Sequence, residues 1–181
     1  MELPASEATT SAIEGILFGH PSLNIYAVID GSAVPQLRTR IARSGCLSAC
    51  LNRGELAPEV AAASPWLVQL DRDTPLTGWF LREGWGQGWG ILALSPADIA
   101  TMRRHFRSVL VVTLPDGRLV QFRWYDPRIL RAYLPTCTGE EAAIMFGPTQ
   151  QYFTEGDDSN LLLQFTRAEH GVSATPLTLP G

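Results

Sequence analysis

At Asp126-Pro127 a strand pattern gives way to a helix pattern within two residues, and that change restricts what the chain can fold into. Val120, Phe122 and Trp124 alternate with Gln121, Arg123 and Tyr125, a period of two with one apolar face. Asp126 then stands where a helix N-cap belongs. Pro127 takes the first helical position, where a missing N–H costs nothing and a fixed φ suits the turn. Ile129, Leu130, Tyr133 and Leu134 form one apolar helical face, Arg128 and Arg131 lie off it, and Pro135 closes the element. The strand therefore ends at a fixed corner that displays Arg123, Tyr125, Asp126, Arg128 and Arg131 together. Capping accounts for Asp126. Arg123, Arg128 and Arg131 either pair with the acidic end of the chain or grip a partner.

The rest of the chain alternates the same two patterns. Residues 1–10 read as mobile, and Thr10 or Ser11 caps a helix through Phe18. Asn24 to Ile29 is nearly all apolar, as a strand buried on both faces would be. Pro35 opens a helix with Leu37 and Ile41 inward that ends at Gly45; Cys46 to Leu51 is a short strand and Pro58 to Ala63 a short helix. Trp66 to Leu70 is a strand, and Asp73 or Thr74 caps a helix ending at Gly84. Gly88 to Leu94 is a strand, and Ser95-Pro96 opens a helix over Ala97 to Arg107. Val109 to Leu114 and Leu119 to Trp124, joined through Asp116-Gly117, form a β-hairpin. Thr138 caps a last helix, with Glu140 and Glu141 in its first turn. Gln151 to Thr154 and Leu161 to Phe165 add strands, and a tail is expected from Gly171. The pattern predicts an α/β single domain with a mixed β-sheet flanked by helices and a β-hairpin in the second half. The domain spans 11–154, with 155–181 a partly flexible extension.

A chain of 181 residues with 45% hydrophobic residues supports one sizeable core. The net charge of −4 argues against nucleic acid, but its distribution is uneven. Residues 1–102 hold 6 Arg and 10 acids, 103–131 hold 7 Arg and 2 acids, and 132–181 hold 1 Arg and 6 acids. Every basic residue is Arg, through genome composition or through selection for planar, bidentate donors. Cys46, Cys50 and Cys137 are odd in number and without metal-ligand spacing, which points to a reducing compartment. There is no signal-peptide pattern, and no apolar run approaches ~20 residues. A cytoplasmic protein with no membrane partner is expected.

Gly84, Gly86, Gly88 and Gly90 alternate with Trp85, Gln87 and Trp89, but a phosphate loop needs a different spacing or a terminal lysine, and this chain has no lysine. Trp85 and Trp89 are either core anchors, with glycines allowing close backbone approach, or a rigid aromatic loop that receives a partner. His20, His105 and His170 are isolated and read as surface or capping residues; Asp71/Asp73 and Asp157/Asp158 read as solvated turns. No catalytic residue, metal or cofactor is expected.

The corner, together with Tyr26-Ala27-Val28-Ile29-Asp30-Gly31, Trp66-Leu67-Val68-Gln69-Leu70, the run from Glu83 to Leu92, and Phe146-Gly147-Pro148, resembles the effector-chaperone (adaptor) family of bacterial type VI secretion. The match runs from about Ile25 to about Phe153. The resemblance implies a non-enzymatic protein that binds a cognate toxin effector in the producing cell and helps mount it on the spike (VgrG-type) protein. Partner-binding residues expected on this reading are Trp85, Trp89, Arg123, Tyr125, Arg128 and Arg131. The competing readings are an immunity-type or other inhibitory module and a small-molecule enzyme of unfamiliar type.

Overall fold

The structure is a computed structural model that describes residues 4–181. In chain order it contains α1 (Glu7–Leu17), β1 (Asn24–Asp30), α2 (Leu37–Ser44), β2 (Ser48–Cys50), α3 (Pro58–Ala63), β3 (Pro65–Leu70), α4 (Pro75–Glu83) and β4 (Gly90–Ser95). These are followed by α5 (Ile99–Ser108), β5 (Val111–Thr113), β6 (Leu119–Gln121), α6 (Pro127–Tyr133), a 3-10 turn (Leu134–Thr136), α7 (Gly139–Phe146), β7 (Gln151–Glu155), β8 (Leu161–Ala168) and β9 (Gly171–Thr178).

A seven-stranded sheet in the order β2-β3-β1-β4-β7-β8-β9 divides the molecule. Alternation in its central strands sends residues to two separate cores. Tyr26, Val28, Ile91, Ala93 and Tyr152 join Met102, Phe106, Trp124, Leu130 and Phe146 on the side of α5, α6 and α7. Ile25, Ala27, Ile29, Leu92, Leu94 and Phe153 join Ile13, Leu17, Leu37, Ile41, Phe80 and Leu81 on the side of α1, α2 and α4. That two-sided demand is why β1 carries almost no polar residue.

The α/β single domain is as expected, but the sheet is not mixed: each pairing in it is antiparallel. Helix α4 does join two parallel strands, β3 and β4, as a helical crossover should. Strand β1 lies between them and opposes both. A second correction concerns the C-terminus. The stretch from Gly171, expected as a tail, is β9, paired with β8 from Ala168↔Gly171 to Leu161↔Thr178. It looked like a tail because an edge strand with one wet face needs few apolar residues, and Pro176 is tolerated at such an edge. Leu179 is buried beyond it, and Thr9 Oγ1 donates to Pro180 O at 2.7 Å. The compact unit therefore extends past 154 and begins before residue 11.

Helix starts moved by a few residues. Ser6 caps α1, with its Oγ accepting from Thr9 N at 3.0 Å, in place of Thr10 or Ser11. Of the ten residues expected to be mobile, the first three lie outside the described residues, and helix begins at Glu7. Asp98, not Ser95, caps α5, accepting from Thr101 N; the Ser95 hydroxyl accepts from Ala97 N at 3.1 Å and donates to Pro148 O at 2.7 Å, which fixes the turn ahead of the helix. Thr74 caps α4, and Thr138 caps α7 in a reciprocal capping box with Glu141.

Candidate functional site

Three separate stretches converge at one end of the sheet: the last residue of β1, the glycine/tryptophan run leading into β4, and the last residue of β7. The β1–β4 register places Ile29 opposite Gly90, and the β4–β7 register runs Phe153 toward the same end. Asp30 and Glu155, which close β1 and β7, thus arrive together. Asp30 is 2% exposed and Glu155 8%.

Glu155 organises the glycine run. Its Oε2 accepts from Gly86 N at 2.6 Å and its Oε1 from Gly88 N at 2.7 Å. Both glycines adopt positive φ, +80° and +69°, which turns their N–H groups toward one point and which side chains rarely permit. The run is therefore an anion-binding nest of backbone donors, and the anion it receives is the protein's own carboxylate. Gly90 serves packing: a Cβ there would lie 2.1 Å from Val28 O.

The corner is built as expected in one respect and differently in another. Asp126 caps α6 and Pro127 follows it. Strand β6, however, stops at Gln121, although Phe122 N still donates to Leu110 O at 2.8 Å. Trp124 turns inward, wholly buried, with its ring centroid 4.8 Å from Phe106 and 6.3 Å from Tyr152. Burying so large a ring overrides the alternation.

The charged groups of the corner satisfy one another. Arg123 bridges Asp30, its Nη2 donating to Oδ2, and lies 3.9 Å from Asp126. Asp30 Oδ1 accepts from Ser32 N at 2.9 Å and Ser32 Oγ at 2.6 Å. Arg128 reaches back to its own cap: its N and Nε donate to Asp126 Oδ1 at 3.0 and 2.9 Å, and its Nη2 to Oδ2 at 2.7 Å. Burial alone would raise the Asp126 carboxyl. The hydrogen bonds from Arg128 and the charges of Arg128 and Arg123 outweigh it and hold the group below the usual carboxylate range. Burial likewise opposes the Arg123 charge, and the Asp30 carboxylate more than offsets it. Burial and the nearby Asp30 charge push the Tyr125 phenol upward.

Arg131 pairs with Asp157 and donates to the carbonyls of Glu155 at 3.3 Å and Gly156 at 3.1 Å, so it clips the turn between β7 and β8 to α6. Between these groups lies a hollow of about 200 Å³ lined by Gly86, Gly88, Arg128, Arg131, Glu155 and Ser159.

The six residues expected to meet a partner do not form one surface. Arg123, Tyr125, Arg128 and Arg131 gather at the corner, but Tyr125 is buried. Trp85 is 5% exposed, and its Nε1 donates to Ser159 O at 2.8 Å. Trp89 packs against Trp79 at 4.9 Å, beside a hollow of about 380 Å³ that Arg40 and Pro35 also line. The arginines carry internal pairs, but it is Arg131 that pairs with the acidic end of the chain, through Asp157; Arg123 pairs with Asp30 and Arg128 with Asp126. Sequence reasoning missed Asp30 as the partner of Arg123 and Glu155 as the acceptor of the glycine run. The signal for Glu155 was available: alternating glycines that aim several N–H groups at one point require an acceptor, and without a phosphate pattern that acceptor is an acid. His105 is half-buried rather than on the surface, with Nε2 3.0 Å from Met145 O, and burial lowers its pKa. Among the described residues, no group of three or more His, Cys, Asp or Glu could hold a metal ion. No helix of the described residues is long and apolar enough to cross a membrane.

No curated protein and no solved structure matches the chain. Residues 25–143, which run from the start of β1 through the glycine run and the Asp126 corner into α7, match DUF4123, a domain of unknown function, and the chain belongs to that family.

Proposed function

We propose that this chain is a non-enzymatic adaptor that binds a type VI secretion toxin in the cytoplasm of the producing cell and promotes its loading onto the spike protein. The observation that carries this reading is that its two most telling stretches, the glycine/tryptophan run and the Tyr-Asp-Pro-Arg corner, meet at one end of the sheet and are tied off there by internal pairs. Acid–base catalysis needs groups that reach a substrate and titrate near the working pH. Here the Asp126 carboxyl is spent on Arg128 and held below its usual range. Such a scaffold instead offers rigidity, which lowers the ordering cost of forming a protein interface of ordinary size, ~1,600 Å² in total.

The test is co-expression with the toxin encoded beside it, followed by affinity purification with and without the spike protein. A stable toxin complex without spike, together with toxin–spike association that depends on this chain, is expected. A complex that silences the toxin but does nothing for spike association would favour the immunity-type reading. Absence of any complex would overturn the proposal.

A further inference from the structure

Among the described residues, strands β5 and β6 pair only with each other, outside the main sheet. A lone two-stranded ribbon is marginal in water, and its two open edges invite further strands. Proteins usually guard such edges with lysine, proline or a bulge. The strands of this ribbon have none of these: they read Val-Val-Thr and Leu-Val-Gln, and Pro115 and the Arg118–Asp116 pair stand at the tip. Six large apolar side chains are exposed among the described residues, and three of them, Val111, Val112 and Leu119, are on this ribbon. Its base is firm, because Val109 and Leu110 are buried and Phe122 N donates to Leu110 O.

The helix that feeds the ribbon is basic. Arg103, Arg104 and Arg107 occupy the last two turns of α5, and Arg107 is crowded by the charges of Arg103 and Arg53. Arg107 donates to the carbonyls of Cys50, Leu51 and Asn52, at 3.0, 3.0 and 2.7 Å, and so meets no carboxylate. Among the described residues, no ion pair involves Arg53, Arg103, Arg104 or Arg107. The corner arginines are already paired; these four are not.

We infer that the β5–β6 ribbon and the basic end of α5 form a docking face for an extended, acidic segment of a partner protein, which adds a strand to the ribbon and sets its carboxylates against Arg53, Arg103 and Arg104. Backbone pairing supplies strength, Val111 and Leu119, which share one face of the ribbon, receive alternate apolar side chains, and the guanidiniums select for acids. The valine and leucine surface offers no aromatic platform for bases, which favours a peptide over a nucleic acid. That the partner is the toxin rests on the adaptor reading; the chemistry of the face does not.

The test uses the full chain and three labelled probes: a short peptide alternating valine and glutamate, the same peptide with lysine for glutamate, and a thymidine oligonucleotide. The glutamate peptide should bind at least about tenfold more tightly than the other two. Val111→Asp with Leu119→Asp, and separately Arg103→Gln with Arg104→Gln, should each weaken it about tenfold or more while the melting temperature holds. Equal affinity for both peptides, tighter binding of the oligonucleotide, or indifference of both variants would overturn the inference. So would a homodimer that the Val111/Leu119 variant abolishes, since the face would then be filled by a second copy. Toxin co-purification with each variant keeps the two readings apart. Toxin retained by both variants sinks the docking face and leaves the adaptor; peptide bound but toxin never captured sinks the adaptor and leaves the face.

Discussion

Replacing Glu155 by Gln keeps the shape of the side chain and removes its charge, so it asks whether a carboxylate holds the glycine run in place. Both carboxylate oxygens are engaged, one by Gly86 N at 2.6 Å and one by Gly88 N at 2.7 Å. Glutamine has a single amide oxygen, and its NH2 must face the second backbone N–H, donor against donor. One charged hydrogen bond becomes a neutral one, and the other is replaced by an unpaired donor in a nearly buried site. A hydrogen bond to a charged group is worth ~1.5–3 kcal/mol and an unpaired buried donor costs ~1–3 kcal/mol, so a net loss of roughly 2–4 kcal/mol is expected. At about 2–4 °C per kcal/mol for a chain of this size, Tm should fall by roughly 5–15 °C. Calorimetry at neutral pH measures it, with Glu169→Gln as the control, since Glu169 is 88% exposed and its loss should change stability by less than about 0.5 kcal/mol. A Glu155→Gln protein that melts within about 2 °C of the parent would mean that the glycines hold their shape unaided, and the nest reading would fail.

The remaining predictions concern the same end of the molecule and its far edge. Trp85→Ala should cost ~3–5 kcal/mol in denaturant unfolding, because the ring is almost wholly buried; unchanged stability with lost toxin binding would move Trp85 from the core to the interface. Arg131→Ala should lower stability by about 1–2 kcal/mol, because a guanidinium only 19% exposed holds the β7–β8 turn, whereas Arg128→Ala, 69% exposed, should cost about 0.5–1 kcal/mol. Equal losses would show that Arg131 does not clip the turn. Asp126→Asn keeps a good N-cap but removes a carboxylate whose folded pKa is depressed. That carboxylate contributes stability above its unfolded pKa of ~3.9, lost as pH falls through the folded value, so the acid-side decline in stability should be shallower in the variant; superimposable curves would count against it. A chain ending at His170 should be poorly soluble or lack a cooperative transition, because it strips β9 from β8 and uncovers Leu162; a soluble, cooperatively folding product would restore the tail reading.

Much of the fold was legible because local chemistry and tertiary context agree. The caps at Thr74, Asp126 and Thr138, the stop at Gly45 with φ +73°, and the doubly buried β1 all follow from rules that operate within a few residues. Errors arose where a distant contact decided. Nothing near Ser95 says that its hydroxyl, accepting from Ala97 N and donating to Pro148 O fifty-three residues on, fixes a turn ahead of the helix and leaves the cap to Asp98, so a serine followed by proline reads as a cap. Sheet order was illegible for the same reason: a strand–helix–strand unit encodes the relation of β3 to β4 but not the intrusion of β1 between them.

The candidate site shows the same limit more sharply. Spacing alone places Arg123, Arg128 and Arg131 on one corner, and an excess of arginine over acids between residues 103 and 131 invites the view that the corner is the gripping surface. Charge counted along the chain is not charge counted in space. Asp30 comes from the first strand and Glu155 and Asp157 from the seventh strand and the turn after it, so the corner, rich in arginine as a sequence window, is matched by carboxylates once folded. With Arg118 paired to Asp116, the excess of the window is left to Arg103, Arg104 and Arg107, joined in space by Arg53 from outside it. A carboxylate arriving from a partner meets a paired guanidinium at the corner and must displace an internal anion to bind it. At the end of α5 it displaces no internal carboxylate, and there electrostatic steering of a partner acts with least opposition.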